Sequence, residues 1–437
     1  VSGGVNWWGR PGRIFRAEHL PRDPDCPQPF TDRETPGALR ILQGTSYDPG
    51  SAAYRFHSAI NETTPHASLF ARLGHQNPYT DFRQLDCATE MPAYEAAAQE
   101  ADVIHCHMDY LARDLLPSHG TRDDVVLVRH YHGSAARLGE GGAIQVNHPE
   151  DVAKLCQLEQ DRSLGAVIVG ARLDHLLLAP DIHWLPMTQP VHRYAALRAQ
   201  YGPRNPFGTT RPMRVGHSPT EPRLKGTAVL EMVIAGLRAA GVPIELVRIE
   251  HLAHGEALAV KATCDVVFDS FFLGLQGSGL EAGAMGIPVI AGDTRVARLH
   301  TEHTGECPYV FADDAQELED ALVSLMDAAE YTAAAQRIRR FVWRFHSYEA
   351  VARRYMTILA SASAALAPRL ALAAGTTPDP LDPGDGVHER PRDFPGVLPP
   401  KPVRDAWPNT MPEGVPKFAP ENKPKPIPPP DPRGEAR

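Results

Sequence analysis

Long apolar runs are missing from this chain. Its 437 residues contain no stretch of 18 or more apolar residues, so no membrane-crossing helix is expected. The first 30 residues have no apolar core of the secretory-signal kind. Cysteine is scarce: Cys26, Cys87, Cys106, Cys156, Cys264 and Cys307 are scattered, with no CxxC pair. That pattern suits reduced thiols in a cytoplasmic protein better than a disulfide framework. A basic excess is missing too. Lys and Arg total 44 against 53 Asp and Glu, a net charge of −9, which argues against a general nucleic-acid binder.

Apolar residues are plentiful, at 43%, enough for real cores. The length suggests two domains plus extensions. Residues 1–36, rich in Pro, Gly, Arg and Asp, read as a largely irregular N-terminal extension. Residues 376–437 hold 18 of the 42 prolines and read as a disordered, partly polyproline II tail.

Between these ends, strands alternate with helices. Ala38–Gln43 predicts a strand, Ala52–Ile60 a helix, and Val103–Cys106, Val125–Val128 and Leu164–Val169 further strands. A second alternation runs through Met213–Gly216, Thr227–Ala240, Ile244–Ile249, His254–Thr263 and Val266–Asp269. Such alternation implies parallel βαβ units. The fold class is therefore α/β, with one half at 37–190, a linker at 191–212 and a second half at 213–345. The deepest crevice should lie between the halves, at the carboxyl ends of both sheets. Ala315–Leu325 and Ala333–Leu359 predict helices. The second carries six arginines on an amphipathic pattern. That is compatible with a membrane surface, but the acidic chain favours a packed helix with a solvated face.

The stretch GSGLEAGAMGIPVIAG, 277–292, is the most pointed chemical signal. Its glycines permit a tight turn and close approach of a ligand. Leu280–Met285 predicts a short helix, closed by Gly286 and Pro288, and Val289–Ala291 a buried strand. A turn, a helix N-terminus and the carboxylate of Glu281 suit a ligand rich in phosphates and hydroxyls. Arg223 and Lys225 stand before another helix and could neutralise a diphosphate, while Glu281 could accept from two vicinal ribose hydroxyls. Together they describe a nucleotide-diphosphate site.

Histidines cluster at two predicted strand ends, VIHCHMDY and VRHYHGS. Alternate strand residues share a face, so His105 and His107, like His130 and His132, should line the crevice edge. The HxHxD of His105, His107 and Asp109 also opens a zinc-hydrolase pattern. That pattern continues with a further His, where this chain has Tyr110, so no metal is expected.

LEAGAMGIPVIAG resembles the LEAMA-x-G-x-PVIA signature of retaining GT-B-fold glycosyltransferases. Other stretches resemble that family in the same order: GTSYDPGSAAYRFHSAI, ADVIHCH, LGAVIVGARLDHLLLAPDIHWLPMTQPV, HSPTEPRLKGT, HGEALAVKATCDVVFDSFFLG and HSYEAVARRY. The resemblance spans about residues 38–360. It implies two Rossmann-like domains facing across a cleft, an acceptor half first and a donor half second. A C-terminal helix at 346–365 would cross back to the first domain. It further implies a sugar transferred from a nucleotide-diphosphate sugar to an acceptor (a glycan, lipid-linked sugar or protein) with retention and no metal or other cofactor. By that resemblance Glu281 holds the ribose, and Lys225 with Arg223 the diphosphate. Gly277, Ser278, Gly279 and Leu280 line the phosphates or sugar, and Gly50 and Ser51 approach from the first domain. His132 sits near the reacting sugar, with His107 a second sugar contact. The family's usual acid eight positions before Glu281 is here Leu273, and its usual Arg five before the lysine is Thr220. These departures leave open a nucleotide-sugar 2-epimerase of the same fold, or a non-catalytic nucleotide-sugar-binding protein.

Overall fold

The computed structural model describes residues 35–45, 52–72, 85–86, 96–107, 124–132, 158–159, 161–177, 181–203, 207–208, 211–220, 222–223, 225–271 and 273–374. Nearly all of the N-terminal extension, the Pro-rich tail, and Gly50, Ser51 and Asp109 lie outside them.

The first half is built on β1 (Arg40–Thr45), β2 (Ala67–Arg72), β3 (Leu85–Asp86), β4 (Val103–His107), β5 (Val126–Tyr131), β6 (Val167–Gly170) and β7 (His183–Trp184). They form one sheet in the order β3-β2-β1-β4-β5-β6-β7, with every pair parallel. Strands buried on both faces usually read as continuous apolar runs; VIHCH departs from that, because all five residues are buried although two are histidines. The helix α1 (Ala52–Thr63) packs on this sheet through Phe56 and Ile60.

The second half contains β8 (Met213–His217), α3 (Thr227–Ala239), β9 (Ile244–Arg248), α4 (His254–Ala262), β10 (Val266–Phe268), α5 (Gly277–Ala284), β11 (Val289–Ala291), α6 (Thr294–Thr304) and β12 (Val310–Phe311). The strand order is β12-β11-β10-β8-β9, again parallel. The junction between the halves departs from the expected linker: Val191–Tyr201 is a helix, α2. Pro190 stands just before it, where a missing N–H costs nothing, and Val191, Tyr194 and Leu197 are buried.

The chain ends with α7 (Ala315–Ser324), α8 (Ala328–His346), α9 (Tyr348–Ala362) and α10 (Ala367–Ala374). The single helix expected over 333–359 is broken at Ser347. Its backbone is extended, and its side chain accepts from the Ala350 N–H at 3.2 Å to start α9. The Gln189 N–H donates to the His346 carbonyl at 2.6 Å, so the interdomain chain docks on the break. The apolar stripes of α8 and α9 are buried, while Arg339, Arg340, Arg344 and Arg353 are exposed. Val351, Tyr355, Ile358 and Leu359 of α9 pack into the first half's core with Leu39, Ile41, Val103 and Val128. The last third of the chain thus completes the first core.

That core contains an unusual polar layer. His105, His107, His130 and His132 stack in pairs, His105 on His107 at 4.2 Å and His130 on His132 at 4.0 Å between ring centroids. Phe56 meets three of these rings edge-on. One nitrogen from each of His105, His107 and His130 lies within 4.8 Å of the others, close enough to consider a metal. The His105 and His107 planes, however, differ by only 6°. Imidazole lone pairs lie in the ring plane, so these run parallel instead of converging. Both nitrogens of His107 also already have partners.

Burial drives these rings toward the neutral form. His105, His107 and His130 are held well below the ordinary histidine value, and His132 is lowered to about 3. The unfolded chain therefore binds these protons first. The stability they contribute is fully present above a pH of about 6.5 and is lost as pH falls toward 3. Each such group costs up to about 1.4 kcal/mol per pH unit in that window. Thermal unfolding followed from pH 7.5 to 5 should show a steep fall in Tm below pH 6.5. A Tm that stays level over that range would contradict the neutral layer.

Candidate functional site

Glu281 is buried, yet ionised. It lies in the second turn of α5, between both halves of the molecule. Lys261 of α4 donates to its Oε2 at 2.5 Å, and His254 of the same helix meets Oε1 at 2.9 Å. Arg55 of α1, in the other half, reaches Oε1 at 3.2 Å and donates to Gln189 Oε1 at 2.8 Å. Burial alone would raise the Glu281 pKa. Lys261, His254 and Arg55 outweigh it and hold the carboxyl well below the usual range. Lys261 and Arg55 are themselves almost fully enclosed, which a long cation tolerates only when paired.

Lys225 is not among the ionic partners of Glu281. It pairs with Asp269 at 3.1 Å. Asp269 stands one residue beyond β10. Its Oδ2 accepts from the Gln276 N–H at 2.7 Å and the Gly279 N–H at 3.2 Å, so it caps α5. This explains one glycine of the GSG turn: a Cβ on Gly279 would lie 2.5 Å from Asp269 Oδ2. Gly226, beside Lys225, has φ +74°, and a side chain there would strike Phe271.

Two amides at the start of α5 stay uncommitted. Among the described residues, the N–H groups of Gly277 and Ser278 have no hydrogen-bond partner, and neither does the buried Ser278 Oγ. These orphan donors are what a helix N-terminus offers an anion. Arg223, two residues before Lys225, is exposed. Leu280 is buried and lines a pocket beside α5.

That pocket also takes in His132, Arg172, Asp174, Trp184 and His346. It draws on both halves. His132 lines this pocket. His107 does not: it is fully buried and touches His132 through Nδ1 at 2.7 Å, so it reaches the cleft only through its neighbour. At Leu273 the backbone, not the side chain, is engaged. Its carbonyl accepts from Arg172 at 3.1 Å, and Arg172 grips Asp174 with both arms, at 2.8 and 3.0 Å.

Arg55, Lys261, His254 and the Arg172–Asp174 pair escaped the sequence analysis. A signal existed for two of them. Arg55 and Lys261 are lone cations inside apolar helical stretches, AAYRF and ALAVKA, where an unpaired charge would not be tolerated.

Removing Lys261 should be costly, because it leaves a buried carboxylate short of a partner. Lys261→Met is expected to destabilise by about 3 kcal/mol, near the lower end for a broken buried pair since Arg55 and His254 remain. Glu281→Gln in the same chain should recover part of that loss. A double-mutant cycle by denaturant unfolding checks this, and strictly additive losses would refute the pairing.

No family model matches the sequence, and no curated protein does. Solved structures do. The chain is similar to Anabaena Alr3699/HepE solved in complex with UDP, at 13% identity and a TM-score of 0.50, over 74% of this chain and 100% of that one. It is equally similar to an α-glucosyltransferase solved with UDP and a 13-mer DNA, at 11% identity and a TM-score of 0.50, over 74% and 100%. At such identity the likeness speaks to the fold. Two parallel α/β halves face one another, and the closing helix α9 packs in the core of the first: the chain has the GT-B fold.

Proposed function

We propose that the protein is a glycosyltransferase that takes a sugar from a nucleotide-diphosphate donor and transfers it to an acceptor with retention of configuration. The observation that carries this is the ionised Glu281 carboxylate, buried at the meeting of the two halves and one turn from the unpaired amides of Gly277 and Ser278. A carboxylate at that place suits the two hydroxyls of a ribose. The amides, the Ser278 hydroxyl and Lys225 suit the diphosphate one turn away. Both neighbours of 0.50 TM-score were solved with UDP, which agrees with this reading.

In the transfer, negative charge develops on the departing diphosphate. Lys225 and the start of α5 would stabilise it with fixed positive charge and dipoles, without reorganisation at the moment of reaction. Glu281 fixes the nucleoside, so the reacting carbon is held facing the first half, where His132 stands. Enclosure between the halves keeps water away from the donor.

A second reading, a nucleotide-sugar-binding protein without turnover, is favoured by one observation: Asp269 already occupies two amides of α5 and neutralises Lys225. An incoming diphosphate must share Lys225 with that carboxylate.

Thermal shift and nucleotide release with UDP-, GDP- and ADP-sugars separate these readings. A donor at a hundred times its Kd should add about 2.7 kcal/mol of stability. Glu281→Ala should abolish the shift, and Lys225→Ala should slow release roughly a hundredfold. A shift without release supports the binding protein, and an isomerised sugar nucleotide without free diphosphate would mark an epimerase. No shift with any donor refutes the site.

A further inference from the structure

Lys225 is held by more than its ion pair. His217 ends β8, where it stands in register with Phe268 of β10 on one side and Arg248 of β9 on the other. The residue is fully buried, and both ring nitrogens are engaged. Nδ1 lies 3.0 Å from the Phe268 carbonyl oxygen, and Nε2 lies 2.8 Å from the Thr227 hydroxyl oxygen. A carbonyl only accepts, so Nδ1 carries a proton. Burial lowers the pKa of this ring, and in the neutral form Nε2 accepts from the Thr227 hydroxyl.

The two groups that this imidazole joins flank the ion pair of the candidate site. Phe268 immediately precedes Asp269, and Thr227 follows Lys225 by two residues. Lys225 and Asp269 meet at 3.1 Å. The ring therefore fixes the spacing of the two segments from which the lysine and the acid project.

The position of Thr227 points the same way. A threonine hydroxyl stabilises a helix start from the N-cap position. Here Gly226 occupies that position in α3, with a left-handed backbone, and the Thr227 hydroxyl goes to His217 instead. The Thr227 N–H donates to the Pro222 carbonyl at 3.0 Å. That bond closes the turn upon itself, whereas the contact with His217 ties the turn to the sheet.

Resting on the donor-site reading above, we infer that His217 and Thr227 are positioning residues for Lys225: one hydroxyl–imidazole contact holds the lysine's turn at a fixed distance from Asp269, so that its ammonium stays where a diphosphate can share it. Both residues are buried, so they act through the lysine. Without the contact the turn keeps its bond to Pro222 but loses its tie to the end of β10. Lys225 then spreads over positions that do not serve the ligand, and affinity falls.

The test titrates UDP, GDP and ADP calorimetrically against the full chain and its variants. Thr227→Val removes the hydroxyl and nearly keeps the volume. It is expected to weaken binding of the diphosphate that binds by roughly fivefold, the scale of one hydrogen bond, and Thr227→Ser should restore wild-type affinity. In a Lys225→Ala chain, Thr227→Val should cost no further affinity, because the loss passes through the lysine. A merely structural role would instead give additive losses. His217→Phe, which keeps a ring but neither nitrogen, should behave as Thr227→Val does, and the Thr227 variants carry the test if it does not fold. Unchanged affinity in Thr227→Val, no recovery in Thr227→Ser, or full additivity with Lys225→Ala overturns the positioning and leaves the donor site standing. Unchanged affinity in Lys225→Ala overturns the lysine's own assignment and this inference with it. Binding of none of the three diphosphates to the wild-type chain overturns the donor-site reading as well.

Discussion

The structure turns on one buried carboxylate. Glu281 is enclosed, and a lone ionised carboxylate in such a place would either protonate or refuse burial. It does neither because cations from two directions converge on it: Lys261 and His254 from α4 in its own half, Arg55 from α1 in the other. The halves are thus joined by an ion cluster at the point where the chain crosses between them, with Gln189 tied to the same guanidinium. An arginine suits this role, since its rigid fork can serve two acceptors at once.

A second carboxylate repeats the arrangement with a different purpose. Asp269 has its own lysine, Lys225, and spends one oxygen on the amides that open α5. The short helix therefore carries acids at both ends of its first turns, one as a cap and one as a cross-link. Among the described residues the amides of Gly277 and Ser278 and the buried Ser278 hydroxyl have no partner, nor has His346 Nε2, whose ring lines the pocket.

Much of the scaffold could be read from sequence because its causes are local. The strand Val289–Ala291 is found as expected, and the cores of the other βα units agree to within a few residues. Apolar runs, Gly286 and Pro288 were sufficient for that. The Ser347 break was missed because the apolar stripe continues across it, and α2 was missed because prolines and arginines mask a short buried stripe. The site was less legible for a different reason. Glu281 and His132 stand at the ends of recognisable motifs, but their partners come from far along the chain: Arg55 is 226 positions from Glu281, and Gln43 is 64 from His107. Periodicity reports which face of an element is buried. It does not report which charge waits on the other side.

We propose that Glu281 is held ionised in order to accept the two ribose hydroxyls of a nucleoside diphosphate. The most direct measurement compares, by calorimetry, the nucleoside diphosphate that binds most tightly with its 2′,3′-dideoxy analogue. The analogue keeps the base and both phosphates and loses only the diol. Two charge-assisted hydrogen bonds would go with it, worth about 1.5–3 kcal/mol each, so the account predicts a loss of affinity of more than tenfold. Equal affinity for the two nucleotides would contradict it and would leave Glu281 as a structural cross-link alone.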